Sequence, residues 1–403
     1  MNIGMISYWS SPLARVGVWE AGGMNVYISG LSQGLIDLGH KVDIYTKSPN
    51  CKEIKITNVV KNLRVIHIPI YGNLYAGVPT FTHKIEELIQ KENISYDVFH
   101  SHYFYSGLIV ENLKKDHIPW VHNSHSYGIL KAKTIGIIDK KRIKYEKEIF
   151  QRADALIVST YAEREVVLEE YPKASEKIYL ISPGIDHNIF KPLDKYKSRQ
   201  KLNLSRNKIY ILFVGRIDPV KGIPSLITAV QKLLQSEPNL KSNLEVLLIG
   251  GDISSKKFWK QKEVKMIKDL IQKVNLSGNI RFLGSRSNTV LPYYYSACDI
   301  VVLPSVYESF GLVVLEAMAC RACVVASKAG GPEYLIQDGK NGLLFDRENT
   351  AQLNRILKDL IHNPGKREKI GKNAVTRSFD FCWSTQAEKV VSLYGKMMKR
   401  TSY

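Results

Sequence analysis

Short apolar runs alternate with helix-patterned stretches along this chain, and they do so in two successive series. The first series is Asn2–Tyr8, Val42–Tyr45, Val65–Ile70, Asp97–His100, Trp120–His122, Leu156–Ser159 and Ile178–Ile181. The second is Tyr210–Val214, Val246–Ile249, Ile280–Leu283, Ile300–Leu303 and Cys323–Ser327. Alternation of this kind implies parallel sheets covered by helices. Two series imply two doubly wound, Rossmann-like α/β domains, and 403 residues are too many for one ordinary core. The stretch from Pro183-Gly184 to about Arg206 is polar, rich in lysine and aperiodic, and it marks the boundary. The expected domains are therefore residues 1–185 and 186–378, followed by a tail, 379–403. In the tail Phe381, Trp383, Val390, Val391, Leu393, Tyr394 and Met397 recur at mostly helical spacing. Open α/β sheets bind ligands outside the carboxyl ends of their strands, so a cleft faced by both domains is the expected site.

Composition excludes several classes. At 44% hydrophobic and 24% charged, the chain reads as soluble and globular, and no run approaches the roughly 20 apolar residues of a membrane span. Met1–Ser7 lacks a basic leader and a cleavage site and reads as a first strand, so a cytoplasmic location is expected. Five cysteines, an odd number, do not suit a disulfide scaffold. Cys320 and Cys323 form a CxxC with no second ligand pair, which argues against zinc. His100, His102, His122 and His125 fall at the ends of two predicted strands, where an α/β site gathers polar groups, and no metal is expected there.

The formal charge is +19, and it is uneven. Residues 1–185 carry 22 Lys and Arg against 19 Asp and Glu, whereas 186–403 carry 35 against 19. A phosphate-rich ligand, weak contact with an anionic membrane surface and a solvated lysine-rich face all fit this excess. Nucleic acid is not expected as a partner, because no recognised nucleic-acid motif is present. Lys256 to Val274 reads as one amphipathic helix with a basic outer face.

The stretch Pro304-Ser-Val-Tyr-Glu-Ser-Phe-Gly-Leu-Val-Val-Leu-Glu316 places Glu308 in a loop after a strand and Glu316 about two turns into the helix that follows. Gly311 lets backbone approach a ligand closely, and the N–H groups of Phe310, Gly311 and Leu312 open a helix start. Two carboxylates favoured by the helix dipole are the plainer alternative. Arg216 and Lys221 flank the turn Asp218-Pro219-Val220 after another strand, where a planar fork and a compact charge suit a diphosphate. Gly22-Gly23 precede a helix from Met24 to Leu38, after a loop from Ser10 to Ala21, and Asn25 lies just behind them. Between residues 131 and 147 the cations Lys131, Lys133, Lys140, Lys141, Arg142, Lys144 and Lys147 face only Asp139 and Glu146.

These segments resemble the E-x7-E retaining glycosyltransferases of family 4, which have the GT-B fold. The resemblance rests on Ala21–Tyr27, Ser101-His102-Tyr103, His122–Ser126, Val214-Gly215-Arg216 with Lys221-Gly222, and Glu308 with Glu316, in the family's order from about residue 2 to about 390. It implies that the tail helix crosses back to the N-terminal domain. It implies a nucleoside-diphosphate sugar as co-substrate, with no metal or other cofactor required, bound by Gly23, Arg216, Lys221, Glu308, Phe310, Gly311, Leu312 and Glu316. Glu308 would contact the transferred sugar, Glu316 the ribose, and Arg216 and Lys221 the leaving diphosphate. His125 would lie beside the sugar without acting as a base, since retention in the family is usually explained by a front-face route. Asn25, Tyr103, Ser126, Lys131 and Arg142 would meet the acceptor. The first two N-terminal motifs most resemble inositol-phosphate N-acetylglucosaminyltransferases, and the segment around His125-Ser126 is as similar to sucrose-phosphate synthases. Both imply a UDP-sugar and a small phosphorylated polyol or sugar. A membrane-surface enzyme with a lipid-linked or polysaccharide acceptor, and a non-catalytic sugar-nucleotide sensor, are the competing readings. Arg321 and Cys323 depart from the family's usual glycine and proline.

Overall fold

In the computed structural model, residues 1–14, 22–48, 50–114 and 117–401 are described. Ala21 of the glycine motif, most of the preceding loop and the last two tail residues lie outside them. The chain divides into two units: residues 1–14, 22–184 and 383–401 form the first, and Ile185–Cys382 the second.

The first unit is built on an eight-stranded sheet. Its strands are β1 (Asn2–Ile6), β2 (Lys41–Ser48), β3 (Lys55–Val60), β4 (Leu63–Pro69), β5 (Val98–His102), β6 (Trp120–Asn123), β7 (Ala155–Val158) and β8 (Ile178–Leu180). Their order is β3-β4-β2-β1-β5-β6-β7-β8. All pairs are parallel except β3 with β4. The second unit has a six-stranded sheet, all parallel, from β9 (Ile209–Val214), β10 (Leu244–Ile249), β11 (Ile280–Phe282), β12 (Ile300–Leu303), β13 (Val324–Ser327) and β14 (Leu343–Phe345), ordered β11-β10-β9-β12-β13-β14.

The apolar runs form these sheets because both faces of a parallel strand are covered. In β9, Ile211 and Phe213 join one core, while Tyr210, Leu212 and Val214 join the other. That split is the two-residue period of a strand feeding two helical layers. Chain order in both sheets reverses direction beside a central strand, β1 in one and β9 in the other, as in doubly wound folds.

The C-terminal helix Trp383–Thr401 packs on helix Gly23–Asp37 of the first unit. Gly30 is what permits it: a Cβ there would lie 2.1 Å from the Trp383 ring. Val390, Leu393, Tyr394 and Met397 complete the core beneath β1. The Tyr394 hydroxyl also reaches His100 Nδ1 at 2.7 Å.

Two strands and one helix break were not expected. β3 is mostly exposed at a sheet edge and so carries no burial pattern, and β14 has only three residues. The single helix expected from Lys256 to Val274 is two, Lys256–Lys260 and Lys262–Lys273, with Gln261 extended. Phe258 and Val264 are both buried, yet six residues of unbroken helix would set them about 120° apart. Breaking at Gln261 lets both face the core.

Candidate functional site

Four loops at the carboxyl ends of β9, β10, β12 and β13 meet in the second unit. Gly222, at φ 64°, brings the first against the third, since a Cβ there would stand 1.9 Å from the Pro304 carbonyl oxygen. The Val306 N–H donates to the Val220 carbonyl at 2.8 Å and ties the same two loops. Glu308 is held by its backbone: its N–H donates to Ala329 O at 3.0 Å, and Gly331 N–H donates to Glu308 O at 2.8 Å. This clamp presents the Glu308 carboxylate to Lys221, whose Nζ lies 2.5 Å from Oε2 in a largely buried pair. Arg216 takes a different partner, Asp218 Oδ2 at 3.1 Å, and its side chain is 55% exposed. An exposed guanidinium is free to turn toward an incoming anion. The other carboxylate oxygen of Asp218 is buried without a partner among the described residues.

Helix Leu312–Ala319 begins at Gly311, which has φ 95°. Phe310 is buried in the core and Leu312 half-buried, so it is their backbone N–H groups that line the helix start. Glu316 is buried inside this helix and accepts a hydrogen bond from the Tyr295 hydroxyl at 2.6 Å. Burial raises the Glu316 carboxyl to about 7, and the tyrosine bond opposes the shift.

In the first unit, Arg142 gathers two of the other expected residues, Tyr103 and Ser126. It rises from helix Lys140–Arg152, capped by Asp139, and is almost fully buried. Its Nη1 donates to the Tyr103 hydroxyl at 3.1 Å, and its Nη2 donates to Ser126 O at 2.6 Å and Ser126 Oγ at 3.1 Å. Its Nε donates to Glu146 Oε1 at 2.6 Å, while Glu146 Oε2 accepts from Gly128 N–H at 2.8 Å. The guanidinium also lies 4.8 Å from the Tyr103 ring centroid. Burial raises the Glu146 carboxyl, and Arg142 opposes this. Lys131, on helix Gly128–Ile135, is close enough to add to that opposition. Glu146 was not singled out from the sequence, although its position four residues after Arg142 on one helix face is a legible signal. Of the other cations, Lys133 bridges to Glu170 at 2.7 Å and Lys141 lies 4.0 Å over the Tyr75 ring.

Gly23 is exposed at the start of its helix. Asn25 behind it is buried and turned inward: Nδ2 donates to Ser10 Oγ at 2.9 Å and Ser11 O at 2.5 Å, and Oδ1 accepts from Gly22 N–H at 3.1 Å. In this conformation its amide fastens the loop to the helix start.

The histidines converge at the ends of β5 and β6. His102 Nδ1 and His125 Nε2 lie 3.0 Å apart, Ser101 Oγ and His122 Nδ1 2.8 Å apart. Burial drives His122 and His125 down to about 3, and His100 and His102 well below their ordinary value, so all four rings are neutral at pH 7. His125 has a left-handed backbone, φ 55°, held by its N–H donating to Asn123 Oδ1 at 3.1 Å. Among the described residues no group of three or more His, Cys, Asp or Glu is disposed to hold a metal ion. Nor is any helix among them long and apolar enough to cross a membrane.

Comparison with known proteins agrees with this architecture. Residues 21–189 match the model of glycosyltransferase family 4, and residues 194–377 that of glycosyl transferases group 1. The chain is 34% identical to the D-inositol 3-phosphate glycosyltransferase of Corynebacterium kroppenstedtii, over 99% of this chain and 90% of that one. Identity to the protein of the same name from Corynebacterium jeikeium is also 34%, over 98% and 97%. Among solved structures, a sucrose-phosphate synthase from Thermosynechococcus elongatus superposes with a TM-score of 0.88 at 28% identity, over 99% of each chain. The Anabaena protein HepE, in complex with UDP and glucose, shares the fold, with a TM-score of 0.75 at 22% identity over 98% of this chain and 99% of that one. With two parallel-sheet α/β domains, both domain models matched in order and relatives alike over nearly their whole length, the chain belongs to the GT-B glycosyltransferases of family 4 and group 1.

Proposed function

We propose that this protein moves a sugar from a UDP-linked donor to a small phosphorylated polyol or sugar, with retention at the anomeric carbon and without a metal ion. The observation that carries the proposal is the placing of Lys221 on Glu308 with an exposed Arg216 on the same turn. Two cations and a carboxylate at the carboxyl ends of parallel strands suit a sugar joined to a diphosphate. As the bond from the anomeric carbon to the phosphate oxygen breaks, negative charge grows on the diphosphate, and Arg216 and Lys221 stabilise it there. Glu308 accepts hydrogen bonds from the sugar hydroxyls, and Glu316 from the ribose. The N–H groups at Phe310, Gly311 and Leu312, and the open helix start at Gly23, supply further donors for phosphate or hydroxyl oxygens. The acceptor hydroxyl forms the new bond on the same face and passes its proton to the departing phosphate oxygen. His125, neutral throughout the physiological range, contributes a hydrogen bond rather than a charge or a base.

A phosphorylated acceptor is supported by the cluster of Arg142, Tyr103, Ser126 and Lys131, and by relatives whose names carry a phosphorylated polyol or sugar. Asn25 acts by holding Ser10 and Ser11 to the helix start, next to Trp9, whose ring lies 5.5 Å from that of Tyr103.

Titration of UDP into the protein by calorimetry, with EDTA present, tests the donor half. Saturable binding is expected, about tenfold or more weaker in Lys221→Ala and in Arg216→Ala. Binding that is absent, dependent on added metal or indifferent to both substitutions would overturn it.

A further inference from the structure

The pairing of His102 with His125 leaves an asymmetry that reaches the site. His102 is fully buried, and the only hydrogen-bond partner of its ring among the described residues is His125. Its other ring nitrogen, Nε2, is buried with no partner among the described residues. His125 is half-buried, and its Nδ1 is not among the buried, unpartnered atoms. Both rings are neutral, so each carries one proton and the 3.0 Å contact holds one of those two. Two arrangements exist. If His125 Nε2–H donates, His102 must keep its proton on Nε2, which leaves a buried N–H with nothing to accept it. If His102 Nδ1–H donates, the unpartnered Nε2 holds only a lone pair. Buried N–H groups without an acceptor are the rarer and costlier defect. The second arrangement therefore prevails, and it forces the remaining proton of His125 onto Nδ1.

We propose that His102 is a positioning residue that fixes His125 as an Nδ1–H hydrogen-bond donor toward a ligand oxygen, built into the contact between the ends of β5 and β6.

The surroundings hold this geometry in place. The Tyr27 ring packs edge-on against His125 at 4.9 Å and His102 at 5.8 Å between centroids, and Trp383 of the C-terminal helix supports Tyr27 at 5.5 Å. The left-handed backbone at His125 is a strained conformation for a residue with a Cβ, a strain accepted where a side chain must be aimed. The consequence for chemistry is a specificity rule. An Nδ1–H presents a donor, so the site selects an oxygen with a free lone pair. His125 has its Nε2 lone pair occupied and its Nδ1 protonated, so it cannot take a proton from the acceptor. The identity of that oxygen as a hydroxyl of the transferred sugar rests on the function proposed above.

Nitrogen-15 NMR of protein labelled at histidine tests the assignment without any substrate, with His125→Gln identifying the resonance. The expected result is a neutral His125 in the Nδ1–H form from pH 5.5 to 8, becoming a mixture of tautomers in His102→Phe. His102→Asn keeps a donor near the position of Nδ1 and is expected to restore the single form. In turnover assays His102→Phe is expected to lower kcat about tenfold with the acceptor KM unchanged, and His102→Asn to recover most of that loss. An Nε2–H form in the unaltered protein, or a tautomer indifferent to His102→Phe, would overturn the inference. If the tautomer is as stated but no sugar nucleotide is turned over, the inference stands and the proposed function fails.

Discussion

Glu316 shows how burial turns a single carboxylate into a pH-dependent element. The folded protein binds its proton more tightly than the unfolded chain does, because the carboxyl is raised from 4.5 to about 7. Stability is therefore fully retained below about 4.5 and is lost progressively as pH rises to 7, by roughly 3 kcal/mol in all. Glu316→Gln keeps an oxygen for the Tyr295 hydroxyl and removes the charge. It is expected to unfold at a higher temperature than the parent at pH 8 and at a similar temperature at pH 4.5, measured by thermal melts across that range. On the proposed contact with the donor ribose, the same substitution is expected to lower turnover, since an ionised carboxylate is the stronger partner for hydroxyls. Arg321 is a second residue with a stored cost. It occupies the left-handed region at φ 64°, which explains why glycine is usual at this place in the family, and its bridge to Glu368 is exposed. Arg321→Gly is expected to raise stability by about 0.5–1 kcal/mol in urea denaturation, and a loss of more than about 1 kcal/mol would contradict that account. The departure at Arg321 was visible in the sequence, but its backbone angle was not. Likewise Lys221 and Glu308 were each legible from loops after strands, whereas their direct pairing across 87 residues was not. Tyr295 was missed for the same reason: it meets Glu316 from a different helix.

Among the elements, the long buried strands were readable because both faces of a parallel sheet demand apolar side chains. β3 was not, since an edge strand with exposed residues has no pattern to show, and β14 is too short to display one. The break at Gln261 followed from where Phe258 and Val264 must point, which periodicity alone does not reveal. The acceptor-side cations divide similarly. Arg142 was singled out, and it is the one whose guanidinium unites Tyr103, Ser126 and Glu146, while Lys133 and Lys141 serve neighbouring side chains. The amphipathic pattern of the helix Trp383–Thr401 is legible, yet its seat depends on Gly30, whose missing side chain is silent in a hydropathy pattern. Gly30→Ala places a methyl group against the Trp383 ring. A loss of about 1–3 kcal/mol is expected in denaturant melts, together with faster hydrogen exchange along the C-terminal helix. Unchanged stability would show that this helix is not packed as described.

For the whole molecule, the division of labour runs along the chain. The second unit holds the cations and carboxylates suited to a nucleoside-diphosphate sugar, and it carries most of the net charge of +19. The first unit holds the buried histidines and the Arg142 cluster. A positive field around the second unit favours the arrival of a phosphate-bearing ligand, an effect that salt weakens. The central claim is transfer from a nucleotide sugar to a phosphorylated acceptor without metal. The most direct test is a donor-by-acceptor activity screen with EDTA present. It pairs UDP-glucose, UDP-N-acetylglucosamine and GDP-mannose with inositol phosphate, fructose 6-phosphate and their unphosphorylated forms. Turnover of a UDP-sugar only with a phosphorylated acceptor, with the anomeric configuration retained, is the expected result. Equal turnover on the unphosphorylated forms, a requirement for added metal, or donor hydrolysis with no transfer to any of these acceptors would contradict the claim.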